Sequence, residues 1–571
     1  MTLTLFRPFA DAVRAGVGAV MCSYNQVNNS YACQNSYLLN NLLKNELDFQ
    51  GFVMSDWQAQ HAGVGTALAG LDMTMPGDTS FDTGVSYWGT NLTVAVLNGT
   101  VPEWRVDDMV TRIMAAYYYV GRDRTRIPLN FNSWTLETYG YEHPIVKAGY
   151  QLTNEHVDVR DEHARLIRQI GSASTVLLKN TNNALPLTGM EKFTAVFGND
   201  AGSPPDGPNG CSDRGCDNGT LAMGWGSGTA NFPYLVTPET AIQNVVVGNN
   251  HVFQSITDNY ASKQIASLAG QASVAIVFVN SDSGEGYLAP DGNEGDRNNL
   301  TFWQGGDVLI RNVSAICNNT ILVMHTVGPV LIGDYAKNPN ITAILWAGLP
   351  GEQSGNAIAD VLYGRVNPGA KLPFTMAAKR EDYGTDVLYK PNEGMNAPQQ
   401  DFTEGVFIDY RSFDRSGIQP VYEFGFGLSY TTFSYSNLQI SKTNAGPYTP
   451  SSGMTQAAPM LGSVDNNTAD YLFPANITRL PLFIYPYINT TDLAASANGS
   501  DYSTASVPPG SQDGSPQPIL AAGGSPGGNA ELYDVLYQVS ATITNTGSVP
   551  GEEVPQVVSF IPFGPKSGYK S

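Results

Sequence analysis

The sequence predicts an α/β chain of several domains whose last part turns to short β-strands. Three observations carry this. Over residues 1–130, apolar runs alternate with amphipathic stretches in β-α-β order. A second series, over 171–390, has runs apolar on both faces. After residue 430 the runs shorten and polar, Gly-containing breaks multiply. At 571 residues the chain is also too long for one hydrophobic core.

In the first stretch Gly18 to Asn25 reads as a strand, Ser36 to Leu47 as a helix and Phe52 to Asp56 as a second strand. Gly70 to Pro76 reads as a third strand, with a helix from about Arg105 to Tyr119. The order implies parallel strands, and three units are too few to close an eight-stranded barrel. They are expected to be the C-terminal part of a (β/α)8-like barrel. Residues 131–170 read as a polar linker, with helix restarting near Glu162 to Ile167. In 171–390, Thr175–Leu178, Thr194–Phe197, Ser273–Val279, Ile321–Met324 and Ala343–Trp346 read as strands of a helix-covered parallel sheet. Residues 391–571 are expected to form a third domain. Within it, Val535 to Asn545 with Val554 to Phe560 resembles the edge of an immunoglobulin-like sandwich. Residues 441–530, rich in Ser, Ala, Gly, Pro and Asn, read as a low-complexity glycosylated insertion.

A net charge of −21 argues against nucleic acid and anionic membranes as partners, since both require basic patches. No uncharged apolar run reaches the roughly 18 residues of a membrane span. Glycosylation sequons stand at Asn28, Asn91, Asn98, Asn218, Asn299, Asn312, Asn318, Asn340, Asn466, Asn476, Asn489 and Asn498, and so many favour the secretory route. Cys22 and Cys33 flank an Asn-rich turn, and Cys211 and Cys216 share a Gly/Asp-rich loop; each pair is placed to close a small loop as a disulfide. Cys317, in an apolar run, reads as a buried thiol. Neither the cysteines nor the six histidines have metal-site spacing, and no phosphate or dinucleotide loop occurs, so neither metal nor cofactor is expected. The opening Met1 to Pro8 lacks the basic start and cleavage site of a leader, so the chain is expected to begin inside a longer protein.

Gly51-Phe52-Val53-Met54-Ser55-Asp56-Trp57 carries the most chemistry. An apolar strand ending in a carboxylate and an indole suits sugar chemistry: the ring packs on C–H bonds while the carboxylate meets the anomeric carbon. The plainer alternative is a helix-capping Asp. Glycoside hydrolysis needs a second carboxyl, roughly 5–5.5 Å from the first for retention and 6.5–9.5 Å for inversion. Glu285, between two glycines after the strand ending at Val279, lies where open α/β sheets bind ligands. Glu294 is the rival, with a local ion cluster of Glu294, Asp296 and Arg297 as its structural alternative. Gly523 to Gly527 fits a nucleophile-elbow pattern but has no strand before it.

Taken in order, several segments resemble glycoside hydrolase family 3, in its branch of fungal extracellular β-glucosidases. They are Phe9–Gly16, Met21–Asn25, Gly51–Trp57, Ala69–Pro76, Leu177–Asn180, Met223–Gly228, Ser283–Tyr287, Trp346–Gly351 and Phe424–Phe433. The resemblance implies a barrel, an α/β sandwich and a fibronectin type III-like domain, with the active site at the first interface. It implies Asp56 as nucleophile and Glu285 as acid/base of a retaining β-glucosidase acting on cellobiose, cello-oligosaccharides and aryl glucosides. Met21, Tyr24 and Trp57 match positions lining the glucose pocket, and Ser227 and Tyr287 positions near its entrance. A Tyr24 hydroxyl beside Asp56 would steady the carboxylate, against the ordinary alternative of a core hydrogen bond. The family's upstream barrel residues that grip the sugar are not in this sequence, so the chain is expected to be truncated N-terminally and incomplete C-terminally. The competing expectations are a β-xylosidase of the same family and a secreted carbohydrate-binding fragment without catalysis. The partner expected is a saccharide, with a homodimer left open.

Overall fold

The computed structural model describes residues 6–557 apart from 28–29, 82, 84, 98, 126–134, 144–146, 211–217, 225, 286–295, 389–398, 445 and 447–520. The chain divides into two units, residues 1–157 with 440–539 and residues 158–439 with 540–571. Among the described residues no helix is long and apolar enough to cross a membrane.

In the first unit α1 (Arg7–Arg14) leads to β1 (Ala19–Cys22), then to the short pair β2 (Gln26–Val27) and β3 (Ser30–Tyr31). A helix of the wide π form, α2 (Tyr37–Glu46), precedes β4 (Phe52–Ser55). Then come α3 (Val64–Ala69), α4 (Thr90–Leu97) and α5 (Glu103–Tyr119). β1 and β4 pair in parallel from Ala19↔Phe52 to Cys22↔Ser55, with α2 in the crossover that a parallel pair demands. Their starts touch: a Cβ on Gly51 would lie 2.3 Å from the Gly18 carbonyl oxygen, so only glycine fits there. The expected third strand, Gly70 to Pro76, shrinks to a parallel bridge between Met54 and Met73. Backbone bonds still join the segment to β4, from the Ser55 N–H to the Met73 carbonyl and from the Met73 N–H to the Val53 carbonyl, and side chains add to them. The Val53 N–H donates to the Asp72 carboxylate and the Met75 N–H to the Ser55 hydroxyl.

Beneath this edge lies a buried charge cluster. Lys44 and Arg105 both contact Asp72 at 2.8 Å, and Arg105 and Arg112 share Asp108 at 3.0 and 3.1 Å. The remaining donors end on carbonyls: Lys44 on Gly70, Arg105 on Ala67 and Leu71, Arg112 on Phe49 and Gly51. The Ala522 N–H donates to Asp108, and Gly523 and Gly524 donate to the Gln50 side chain. The Tyr533 hydroxyl meets the Ala10 carbonyl, and Arg14 lies over the Tyr533 ring. Residues 521–533, which the composition groups with an insertion and a third domain, are thus part of the first unit.

Residues 131–170 are more than a connector. β5 (Tyr139–His143) and β6 (Ala148–Leu152) pair in antiparallel fashion, with Tyr141 and Tyr150 edge to face at 5.2 Å. Such cross-strand aromatic pairs stabilise exposed ribbons.

The second unit opens with α6 (His163–Ala173), β7 (Val176–Asn180) and β8 (Phe193–Phe197). There follow α7 (Pro238–Gly248), β9 (Val252–Ile256), α8 (Ser262–Ala269), β10 (Val274–Ser281), α9 (Gly306–Ser314) and β11 (Thr320–Thr326). α10 (Gly333–Lys337), β12 (Ile341–Trp346), α11 (Ser354–Leu362) and α12 (Tyr410–Ser416) complete it. Thr237 starts α7 as an N-cap, accepting from the Thr240 N–H, with Pro238 in the first turn. The sheet has the order β7-β12-β11-β10-β8-β9. Five strands are parallel, but β7 is antiparallel to β12, so the expected all-parallel sheet carries one reversed edge. All eight residues of β10 are buried, with apolar clusters on both sheet faces.

β13 (Phe433–Lys442) and β14 (Tyr537–Asn545) form a separate two-stranded sheet, exposed almost throughout. Val554 to Val557, the described part of the other expected sandwich strand, is irregular. Pro555 has no N–H to give a ladder.

Candidate active site

The β4 ladder runs on into Asp56, whose N–H donates to the Cys22 carbonyl at 3.1 Å. Its carboxylate accepts from the Trp57 N–H at 2.6 Å. Asp56 caps no helix, because the next one, α3, begins at Val64. Instead the carboxylate stands half-buried at the C-terminal end of a parallel strand, where barrel folds place their chemistry. Met21 pairs with Met54 on the neighbouring strand. Met21, Tyr24 and Trp57 are 55%, 54% and 45% exposed among the described residues. Cys22 and Cys33 are bridged, tying the end of β1 to the segment before α2. Further along the Asp56 loop, His61 stacks on Tyr31 at 3.9 Å, and burial lowers its proton affinity below the usual imidazole value.

In the second unit the topology marks a site of its own. From β8 the chain moves outward to β9, then crosses back to β10 on the other side. Strand order reverses between β8 and β10, and ligands bind beyond the strand ends at such switch points. Glu285 lies in the loop that leaves β10 and Ser227 in the loop that leaves β8. Ser227 donates to Glu285 Oε2 from its N–H at 2.5 Å and from its hydroxyl at 2.7 Å. Arg297 clasps the loop's stems, donating to the Ser281 hydroxyl and the Pro329 carbonyl, while its N–H meets Ser283 Oγ. Behind the switch, His325 Nδ1 lies 2.8 Å from Asp200 Oδ2, both fully buried, and His325 Nε2 lies 3.5 Å from the Ser354 hydroxyl.

Tyr287, Glu294, Cys211 and Cys216 lie outside the described residues. Cys317 is buried and not in a disulfide. Sequence reasoning missed Asp72, whose signal was a lone carboxylate inside the apolar run Leu71 to Met75. It also missed Arg297 as a clasp, and the grip of Ser227 on Glu285 across 58 positions had no local signal. Among the described residues, no cluster of His, Cys, Asp and Glu has a metal-holding arrangement.

The two halves of the chain match two domains of one hydrolase family. Residues 3–116 match the glycosyl hydrolase family 3 N-terminal domain and residues 175–430 its C-terminal domain. Beta-glucosidase A of Aspergillus kawachii is 62% identical over 554 residues, which are 96% of this chain and 64% of that protein. A probable beta-glucosidase of Arthroderma benhamiae is 59% identical over 98% of this chain and 68% of its own length. The chain therefore belongs to glycosyl hydrolase family 3. Among solved structures, a family 3 beta-glucosidase from Neurospora crassa superposes with a TM-score of 0.85 at 58% identity, covering 96% of this chain and 66% of that one. The Chaetomium thermophilum beta-glucosidase gives the same values. The chain spans just under two thirds of the length of the Aspergillus relatives it matches.

Proposed function

We propose that this chain carries the catalytic carboxylates of a secreted, retaining β-glucosidase that removes terminal β-glucosyl residues from cellobiose, cello-oligosaccharides and aryl glucosides. The observation that carries the reading is the Asp56 carboxylate at the end of β4, flanked by the exposed Met21, Tyr24 and Trp57. The similarity to proteins named beta-glucosidase supports the sugar and the bond. On this reading the first unit is barrel-derived, the second an α/β sandwich, and β13 and β14 belong to a fibronectin type III-like domain.

In the first step Asp56 attacks the anomeric carbon and forms a glycosyl ester as the bond to the leaving oxygen breaks. Glu285 gives its proton to that oxygen. In the second step Glu285, now ionised, takes a proton from water, and the resulting oxygen nucleophile displaces Asp56. Two inversions at one carbon give net retention. Trp57 supplies an apolar platform for the sugar's C–H face.

The test uses the longest natural polypeptide containing this sequence. Asp56→Asn should lower turnover of an aryl β-glucoside by several orders of magnitude. Near-normal turnover in that variant sinks the assignment. Azide should restore activity to Glu285→Ala, forming a glucosyl azide of retained configuration, and should not do so for Glu294→Ala. Matched aryl glucoside and xyloside substrates separate glucosidase from xylosidase.

A further inference from the structure

Ser227 touches Glu285 through both of its donors, and both end on the same oxygen, Oε2. The approach depends on glycine. Gly226 has φ +150°, and a Cβ there would lie 3.3 Å from Oε2 and 3.5 Å from Glu285 Cγ. A Cβ on Gly224 would lie 3.3 Å from both Asp282 Oδ1 and the Ser283 carbonyl oxygen. The glycine-bearing loop after β8 therefore approaches residues 282–285 closely, and a Cβ at either glycine would make a tight contact there. Arg297 fixes the base of the Glu285 loop independently, through Ser281 and Pro329. The carboxyl is held at its tip from one loop and at its stem from another.

Hydroxyl and amide donors on one carboxylate oxygen favour the ionised form over the acid. Glu285, on the reading above, must serve in both forms, as acid in the first step and as base in the second. Resting on that reading, we propose that Ser227 is the positioning residue that sets the proton balance of Glu285, aiming its carboxyl and biasing it toward the ionised form that the second step uses. This is a different role from lining the pocket entrance. Ser227 acts through Glu285 and need not touch the sugar.

The experiment compares Ser227→Ala and Ser227→Thr in the longest natural polypeptide, reading kcat/KM for an aryl β-glucoside against pH. The backbone donor survives in both variants, so Ser227→Ala isolates the hydroxyl. Its loss should move the alkaline limb of the profile upward by roughly half a pH unit, and threonine should restore the limb. Ser227→Gly, which also lacks the hydroxyl, should shift the limb in the same direction. A limb that stays put in Ser227→Ala and Ser227→Gly, with KM raised instead, overturns the proposal and returns Ser227 to contact with substrate. Azide and Glu285→Ala separate the two layers. Rescue by azide with an unmoved Ser227 limb defeats only the inference about Ser227. No rescue defeats the acid/base reading, and this inference with it.

Discussion

Asp72 accepts the backbone N–H of Val53 at 2.8 Å, and so holds the middle of the strand whose end presents Asp56. The same carboxylate meets Lys44 and Arg105 with no exposure to water on any of the three. Burial alone would push the Asp72 carboxyl upward, but Lys44, Arg105 and Arg112 outweigh it and hold the carboxyl below its ordinary value. Asp72→Asn leaves two buried cations short of a partner, and breaking such a pair costs about 3–5 kcal/mol. The variant should therefore unfold at markedly lower temperature. The sign of its pH dependence follows from the lowered folded value. The stabilisation from Asp72 is complete above about pH 4 and is lost as pH falls through the folded-state pKa. The gap in melting temperature between parent and variant should narrow in acid, and a gap that is constant with pH contradicts the ionised assignment.

That cluster also marks where the sequence stops being legible. The eight buried residues of β10 announce themselves as one apolar run, and Asp56 stands out because a strand ends in it. Lys44, Arg105 and Arg112 sit on amphipathic helices, where a charge ordinarily means solvent, yet all are buried. Arg105 and Arg112 have Asp108 as a local partner, but the contacts that bury the three reach up to 63 positions away. β9 is missed for a related reason: an edge strand with Gln254 and Ser255 in it lacks the apolar signature of its neighbours. Strand direction is equally silent, so β7 reads the same whichever way it pairs. Residues 521–533 have the composition of a flexible linker, but the N–H groups of Ala522, Gly523 and Gly524 are spent on Asp108 and Gln50.

In the second unit Asp200 is committed on both oxygens, Oδ2 to His325 and Oδ1 to the Leu221 N–H at 2.8 Å. The pair links the strand ends of β8 and β11 behind the switch point. Asp200→Ala strands both partners in a dry interior and should cost roughly 3 kcal/mol, read as a lower urea midpoint. Asp200→Asn should cost less, since its amide oxygen still accepts from one donor. Equal midpoints for Asp200→Ala and the parent mean that the pair adds nothing to stability.

Trp57 is 45% exposed beside a half-buried carboxylate, which leaves ring surface open to a ligand. As a platform it should serve ground state and transition state alike. Trp57→Ala should then raise KM for an aryl β-glucoside by about tenfold with a smaller change in kcat, and Trp57→Phe should recover part of the loss. A fall in kcat at constant KM points instead to the ring setting the Asp56 loop for reaction, since the backbone N–H of residue 57 that bonds Asp56 survives both substitutions.

The sequons differ in what their asparagines are already doing. Asn91, Asn218, Asn299 and Asn318 are exposed. Asn299 holds its Thr301 in a local turn, through Oδ1 to the Thr301 N–H and hydroxyl, which leaves the amide nitrogen out of those bonds. Asn340 is the opposite case. Its side-chain nitrogen donates to the Ser314 carbonyl at 2.8 Å, and Thr342 of the same sequon is buried with its hydroxyl on Asn319 and Thr320. A glycan on Asn340 removes that donor's geometry and leaves the Ser314 carbonyl short of a partner. Peptide mass spectrometry of protein expressed through a secretory route should find Asn299 glycosylated and Asn340 bare. Asn340→Asp, which replaces the donor with a carboxylate, should lower the melting temperature, whereas Asn299→Gln should remove a glycan without a comparable loss. Full occupancy of Asn340 in folded protein made by that route would show that the Ser314 contact is dispensable to the fold.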